Sequence, residues 1–164
     1  MKKYIYLLGF VSILLACNQK IEKEPTNPLE PIKQVEKESV EQQAKKLEDD
    51  GYKTFLYKEG DSTYLMQQYF MVFLKSGENR SQDSTETAQL QSKHLEHLGR
   101  MAVEGYASLI GPFEDEGDVR GIVVYNTRTL KEADSLANLD PMVKAGRLKV
   151  EVHPWWTAKG GKLN

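Results

Sequence analysis

The sequence predicts an α+β domain whose elements follow one another as strand, helix, strand, strand, helix, strand. Three observations carry this prediction. Residues 69–74 form an unbroken apolar run, which is typical of a strand buried on both faces. Residues 84–104 have the spacing of an amphipathic helix, and residues 121–125 are rich in β-branched side chains. This order is the split βαβ, or ferredoxin-like (βαββαβ), arrangement.

Two strand-like segments precede the apolar run at residues 69–74. Residues 52–58 and 62–69 both have strand character, and Gly60 between them favours a turn. The second segment overlaps the strongest strand candidate, residues 66–74. A polar loop at residues 77–84 then leads to the long helix.

The helix expected at residues 84–104 places a histidine in its apolar stripe. Asp83, three residues before Glu86, predicts a capping box at its start, and Gly105 suits its end. At about 100° per residue, His97 lies at the edge of the stripe. The stripe itself contains Leu90, His94, Leu98, Met101 and Gly105, widened by Leu95 and Ala102. A titratable ring pointing into a core is unusual unless partners there satisfy its hydrogen bonds.

A second helix and further strands complete the domain. Thr129 with Glu132 predicts a capping box for this helix. Asp140 before Pro141 ends it and caps a short turn. One sheet covered by two helices leaves its other face bare, so we expect a homodimer. The further strand candidates cover residues 106–110, 121–125 and 148–153.

The first 17 residues carry a targeting signal. Lys2 and Lys3 precede an apolar run at residues 4–15, which is too short for a stable spanning helix. The run closes on Leu-Leu-Ala before Cys17, the only cysteine of the chain. This pattern resembles the lipobox of a bacterial lipoprotein, in which the cysteine is lipidated and becomes the mature N-terminus; the alternative is an ordinary secretory signal. Several acyl chains would anchor the protein firmly to a membrane.

The signal predicts a chain in three parts: a signal peptide at residues 1–16, a lipidated N-terminus with a flexible tether at residues 17–50, and a domain at residues 51–164. Prolines and charged side chains dominate the tether, although residues 35–47 could form a thin amphipathic helix. Asn18 lacks the acidic character that marks inner-membrane retention in some bacteria, which favours the outer membrane.

Composition excludes several classes of function. The chain has 22 basic and 24 acidic residues, and removal of Lys2 and Lys3 leaves 20 against 24. This weak acidity argues against nucleic acid as a partner. No glycine-rich phosphate loop, serine nucleophile motif or nucleotide fingerprint indicates a cofactor.

The order and spacing of several short motifs resemble those of the YCII-related domain over about residues 69–160. The resemblance implies a dimeric α+β barrel of ferredoxin-like halves and an active site that pairs His94 with Asp140. Many members of the family have no known reaction. The motifs are the run at residues 69–74, His94-Leu95-x-x-Leu98, Gly105, Gly111-Pro112-Phe113, Asp118-Val119-Arg120-Gly121, Asp140-Pro141-x-Val143-x-x-Gly146 and Glu151-Val152-His153-Pro154-Trp155-Trp156.

The chemistry of the pair supports the same hypothesis. An imidazole exchanges a proton near neutral pH, and a neighbouring carboxylate fixes its tautomer or holds it charged. We therefore hypothesise that His94 is a general acid/base and Asp140 its partner. The alternative is that Asp140 only caps a turn and His94 is a core histidine with satisfied hydrogen bonds.

Four further residues are weaker candidates. Arg120 suits the anionic group of a small-molecule ligand or an exposed salt bridge in its turn. Trp155 suits an apolar ligand site, the edge of the domain or a dimer contact. His97 lacks the cysteine or carboxylate that would complete a metal site with His94. Its position at the edge of the stripe favours a surface or rim role. His153 faces either a pocket or solvent.

Two classes of function remain. The first is a small enzyme that moves a proton during isomerisation, hydrolysis or lyase chemistry on a small molecule. The second is a non-catalytic module of the cell envelope that binds a small ligand or a protein.

Overall fold

The computed structural model describes residues 38–163. The predicted signal peptide, Cys17 and most of the predicted tether lie outside these residues. None of the helices within residues 38–163 is long and apolar enough to cross a membrane. The elements are α1 (Val40–Asp49), β1 (Thr54–Glu59), β2 (Ser62–Ser76), α2 (Ser84–Val103), β3 (Ala107–Pro112), β4 (Val119–Tyr125), α3 (Leu130–Ala137), α4 (Pro141–Lys144) and β5 (Leu148–Ala158).

The sheet confirms the predicted α+β, ferredoxin-like fold. Strands β3, β4, β2 and β5 lie side by side in this order, and each pair is antiparallel. Gln67 of β2 pairs with Thr54 of β1 and with Thr157 of β5, so β1 and β5 flank β2 on opposite sides. Strand β1 therefore extends the sheet beyond the end of β4.

Strand β2 contains the apolar run at residues 69–74 and buries most of it. Phe70, Val72 and Leu74 belong to the main hydrophobic core beneath the helices. Side chains alternate along a strand, so Met71 and Phe73 point to the opposite face, where they are half-buried. The sequence predicts burial on both faces of this run. The face towards the helices is fully buried, whereas Met71 and Phe73 leave the other face only partly buried. The two overlapping segments expected here form one strand of 15 residues.

Helix α2 begins and ends as predicted. The Asp83 carboxylate accepts from the Glu86 backbone N–H, and the Glu86 side chain completes the capping box. Leu98 and Met101 pack into the core. The predicted stripe is too wide, because Leu95 and Ala102 are exposed. A helix that rests on one sheet buries only its central stripe, and positions on the flank face solvent.

Helix α1 corrects the predicted extent of the tether. Ser39 and Gln42 form a capping box at its start, and the helix packs against β1 and β2. Ala44 is buried by this packing. Residues 40–49 therefore belong to the folded unit, because a thin apolar stripe suffices when the sheet supplies the rest of the contact.

The connection from β4 to β5 contains two short helices with side-chain caps. Thr129 accepts from the Glu132 N–H at the start of α3, but the Glu132 carboxylate accepts from the Arg128 N–H, so the predicted capping box forms only in half. Asp140 caps α4, as the sequence predicted, and accepts from the Met142 N–H. Helix α4 packs against α2, which brings the start of one helix to the middle of the other.

Candidate functional site

The structure brings together the two residues of the predicted acid–base pair. His94 Nδ1 lies 2.5 Å from Asp140 Oδ2. Helix α2 supplies His94 from its apolar stripe, and the N-cap of α4 supplies Asp140. Both side chains are buried, with exposed fractions of 8% and 1%. Packing of α4 on α2 thus joins residues 46 positions apart in the sequence.

Asp140 uses its two carboxylate oxygens for different tasks. Oδ1 accepts from the Met142 N–H at 2.8 Å, while Oδ2 faces His94. An ionised carboxylate has only acceptors, so His94 Nδ1 carries the shared proton. Nε2 is then the ring nitrogen available to exchange a proton with a ligand. The negative charge of Asp140 also contributes, after burial, to raising the pKa of Tyr125 to about 12.

His94 forms part of the wall of a cavity of about 670 Å³. This volume lies within the range of about 300–1,000 Å³ that is usual for small-molecule sites. Asp140 is not among the lining residues, so its influence on a ligand passes through His94. The remaining lining residues are Leu74, Ser76, Arg80, Thr87, Gln91, Leu95, Leu98, Ile110, Gly111, Pro112, Phe113, Arg120, Gly121, Ile122, Met142, Arg147 and Leu148.

Arg120 lines the same cavity as His94. Its Nη1 donates to the backbone carbonyls of Asp115 and Gly117, at 3.0 and 3.1 Å. The alternative use considered for Arg120, a salt bridge in its turn, is not formed within the described part of the chain. The turn therefore orients the guanidinium without neutralising its charge.

Sequence reasoning missed two further arginines of this cavity. Arg80 comes from the polar loop before α2, and Arg147 follows α4. Neither belongs to a periodic pattern or a motif that would single it out. Backbone hydrogen bonds from Gly77 to Arg147 and from Asn79 to Gly146 hold the two segments together.

His97 lies inside the protein, so of the surface or rim role predicted for it, the surface position is wrong. It is only 4% exposed, because α4 packs beside this part of α2 and covers the edge of the stripe. Nδ1 accepts from Arg100 Nη2 at 3.1 Å, which places the proton of the neutral ring on Nε2. This Nε2 is buried without a hydrogen-bond partner among the described residues. Burial lowers the pKa of His97.

Trp155 lies at a different site from His94. It lines a second cavity, of about 610 Å³, together with Tyr69 and Val124. Trp155 pairs across the sheet with Tyr69, whose side chain points away from the main core. Trp155 remains a candidate ligand residue only for that second cavity.

His153 faces solvent, which was one of its two predicted positions. Its Nε2 lies 2.8 Å from Glu151 Oε1, and both side chains are about half exposed. No group of three His, Cys, Asp or Glu side chains within residues 38–163 is placed to hold a metal ion.

Comparison with known proteins identifies one family. The model of the YCII-related domain matches residues 69–156 of the chain. Among solved structures, the chain is similar to the 5-chloro-2-hydroxyhydroquinone dehydrochlorinase (TftG) from Burkholderia phenoliruptrix AC1100, in complex with 2,5-dihydroxybenzoquinone. This similarity has a TM-score of 0.41 and 21% identity, and it covers 53% of this chain and 92% of that one. No curated protein matches the chain.

Proposed function

We propose that this chain, which belongs to the family of proteins with a YCII-related domain, is a small-molecule enzyme that uses His94 and Asp140 for acid–base catalysis. The observation that carries the proposal is the His94–Asp140 hydrogen bond at the wall of the 670 Å³ cavity. Among the lining residues in the described chain, His94 is the only histidine, and histidine is the side chain most often used for general acid–base catalysis.

The geometry supports different catalytic roles for His94 and Asp140. Asp140 accepts from Nδ1, which leaves the Nε2 lone pair of His94 to remove a proton from a bound substrate. The imidazolium that forms is stabilised by the carboxylate, and the proton then returns to another atom of the substrate or to a leaving group. The backbone N–H of Met142 holds Asp140 in place, so Asp140 acts as a positioning residue. Isomerisation, elimination and hydrolysis all fit this proton transfer.

A screen for ligands followed by turnover tests this proposal. Thermal shift of the purified full chain against a metabolite library identifies binders, and turnover of each binder is then measured with the wild type and with His94→Gln. We expect His94→Gln to lower kcat by roughly 10²-fold or more while circular dichroism shows an intact fold. The exposed Lys93, next to His94 on α2, provides Lys93→Met as the control.

The competing function is a non-catalytic module that binds a small ligand. The same cavity would serve it, with His94 acting only as a buried hydrogen-bond donor to Asp140. Unchanged turnover in His94→Gln would overturn the enzyme proposal. Binding without turnover in the wild type, with only stability altered in the variant, would instead favour the binding module.

We also propose that the domain is carried by an envelope lipoprotein. Cleavage after residue 16 would leave Cys17 as the lipidated N-terminus, with a tether between it and the folded unit. The outer membrane is the proposed location, since Asn18 follows the cysteine. Because Cys17 is the only cysteine, incorporation of labelled palmitate reports on it alone. Loss of label and of membrane fractionation in Cys17→Ser supports the proposal, and unchanged fractionation contradicts it.

The face of the sheet opposite α2 and α3 is the proposed dimer interface. Met71, Phe73 and Trp155 project from this face, and Trp155 is 38% exposed. Burying such side chains against a second copy is the usual way to complete a sheet covered on one face. We expect sedimentation to show a dimer that Met71→Glu dissociates. Leu130→Glu on α3, an equally polar change at an exposed position, should leave the dimer intact; a monomeric wild type would overturn this proposal.

A further inference from the structure

We infer that the cavity beside His94 takes an organic oxyanion, a carbon skeleton that carries a carboxylate or a phosphate group. This inference rests on the proposed function only in taking that cavity as the substrate site. Three arginines, Arg80, Arg120 and Arg147, line it together with His94.

The charge of the cavity wall is not balanced. No aspartate or glutamate is among the lining residues within the described chain, so three positive charges share the wall without a carboxylate. None of the three arginines forms a salt bridge within residues 38–163. Lys75 shows the contrast, since its ammonium contacts Asp118 at 3.2 Å and Glu151 at 3.0 Å. Lys45 likewise pairs with Asp49, whereas no such pair neutralises the three arginines of the cavity within the described residues.

Two of these guanidinium groups are positioned in advance by neutral acceptors. Arg120 Nη1 is held by two backbone carbonyls, and Arg147 Nη1 donates to Gln82 Oε1 at 3.2 Å. A guanidinium has five N–H donors, so most donors of each group remain for a ligand. Acidic side chains at residues 114–118 lie near Arg120 in sequence, but none of them lines the cavity.

The third arginine is brought to the cavity by its loop. Asn79 donates from its backbone N–H to the Gly146 carbonyl and from its side chain to the Ala145 carbonyl. These bonds place Arg80, the next residue, on the same cavity as Arg147. Arginines from two connections and from the start of β4 thus converge on one volume, as expected for recognition of an anion by forked donors.

The apolar lining residues indicate what the ligand carries besides its oxyanion group. Leu98, Ile110, Phe113 and Met142 are apolar and line the same cavity. A ligand that fits this wall has an apolar skeleton and one oxyanion group. Anchoring the anion on the arginines would hold the skeleton against His94 Nε2, which is how a remote binding group accelerates proton transfer.

A matched set of probes tests the inference by binding alone. The purified full chain, in a non-ionic detergent, is titrated with benzoate, with phenyl phosphate and with benzamide, the neutral counterpart of benzoate, and shifts of amide signals are followed by NMR. We expect at least one anion to bind roughly tenfold or more tightly than benzamide. We expect this preference to shrink at high salt, because screening weakens ion pairs. The tighter of the two anions identifies the oxyanion group.

Substitutions assign the effect to the arginines. Arg120→Met and Arg147→Met should each weaken binding of the preferred anion roughly tenfold or more and leave benzamide unchanged. Lys93→Met removes the same charge from an exposed position on α2 and should change neither. Arg80→Met provides a third variant if the other two fail to fold, since Arg80 is exposed and its side chain makes no hydrogen bond within the described residues. Equal binding of benzoate and benzamide, or anion binding that survives these substitutions, would overturn the inference.

The same titration separates this inference from the proposed enzyme. His94→Gln keeps all three arginines, so it should still prefer the anion. Selective anion binding without turnover of any anionic ligand would remove the catalytic proposal and keep the inference. Turnover of neutral compounds alone would support the catalytic proposal and overturn the inference of an anionic ligand.

Discussion

His94 Nδ1 and Asp140 Oδ2 meet at 2.5 Å, and the same aspartate caps helix α4 through its other oxygen. One buried side chain therefore holds the imidazole and shapes the backbone that follows it. Loss of this carboxylate is expected to disturb the fold as well as the chemistry.

Replacing Asp140 should cost more stability than replacing an ordinary helix cap. Asp140→Ala removes the cap of α4 and leaves a buried N–H of His94 without its acceptor, so we expect a loss of about 3 kcal/mol in the free energy of unfolding. Asp83→Ala removes only the exposed cap of α2, at about 1 kcal/mol. Urea denaturation measures both. Equal losses in the two variants would show that the contact with His94 adds no stability.

His97 should make the protein less stable as the pH falls. Its pKa is lowered by burial, whereas in the unfolded chain it is about 6.5. As the pH drops through 6.5, the unfolded state therefore takes up a proton before the folded state does, and stability falls until the pH passes below the folded pKa.

The variant His97→Leu should remove this dependence. It also deletes the buried Nε2 that has no partner in the described chain, so we expect a gain of about 1 kcal/mol at pH 7.5 that increases towards pH 5. Urea denaturation across this range, with the exposed His153→Leu as the control, measures the difference. A difference that stays constant with pH would contradict the prediction.

Gly77 should not tolerate a side chain. A Cβ at this position would lie 2.1 Å from the Gly146 carbonyl oxygen. This oxygen belongs to the backbone and cannot move aside as the end of a flexible side chain could. We expect Gly77→Ala to cost about 2 kcal/mol or more. In contrast, Gly99 lies on α2 with open space around its Cβ direction, so Gly99→Ala should stabilise the helix by about 0.5–1 kcal/mol. Thermal unfolding of the two variants measures both signs, and a neutral Gly77→Ala would contradict the close contact.

Tyr125 should weaken the fold at alkaline pH. Burial, followed by the charge of Asp140, raises its pKa to about 12, and the unfolded value is about 10. Between these values the unfolded chain loses a proton that the folded chain keeps, so stability falls as the pH rises. Tyr125→Phe should flatten the profile between pH 9 and about 11, whereas the exposed Tyr57→Phe should not. Parallel profiles of wild type and Tyr125→Phe would exclude this contribution.

Local signals predicted most of the secondary structure. These signals act over a few residues, so they can be recognised in the sequence. They include the capping box at Asp83, the apolar stripe after it and the β-branched run at residues 121–125. The errors lie where tertiary contacts decide. The thin stripe of residues 40–49 predicts a tether, yet the sheet supplies the missing contact. The position of His97 at the edge of its stripe favours a surface or rim role, yet α4 packs beside α2 and His97 is buried.

The candidate site was only partly predictable. Its pairing of His94 with Asp140 was implied by the family resemblance, and the hydrogen bond between them is present. Arg80 and Arg147 could not be singled out, since a lone arginine in a loop has no pattern. Trp155 was considered for a ligand site, and the structure places it on a cavity separate from that of His94.

The elements and their order could be predicted from the sequence, because caps, turns and hydrophobic periodicity depend on neighbours a few residues away. The grouping of His94, Asp140 and three arginines in one place depends on the tertiary structure. Their proximity depends on how α4 packs against α2 and on how the loop before α2 binds the turn after α4. Such contacts join residues dozens of positions apart, and no local pattern records them.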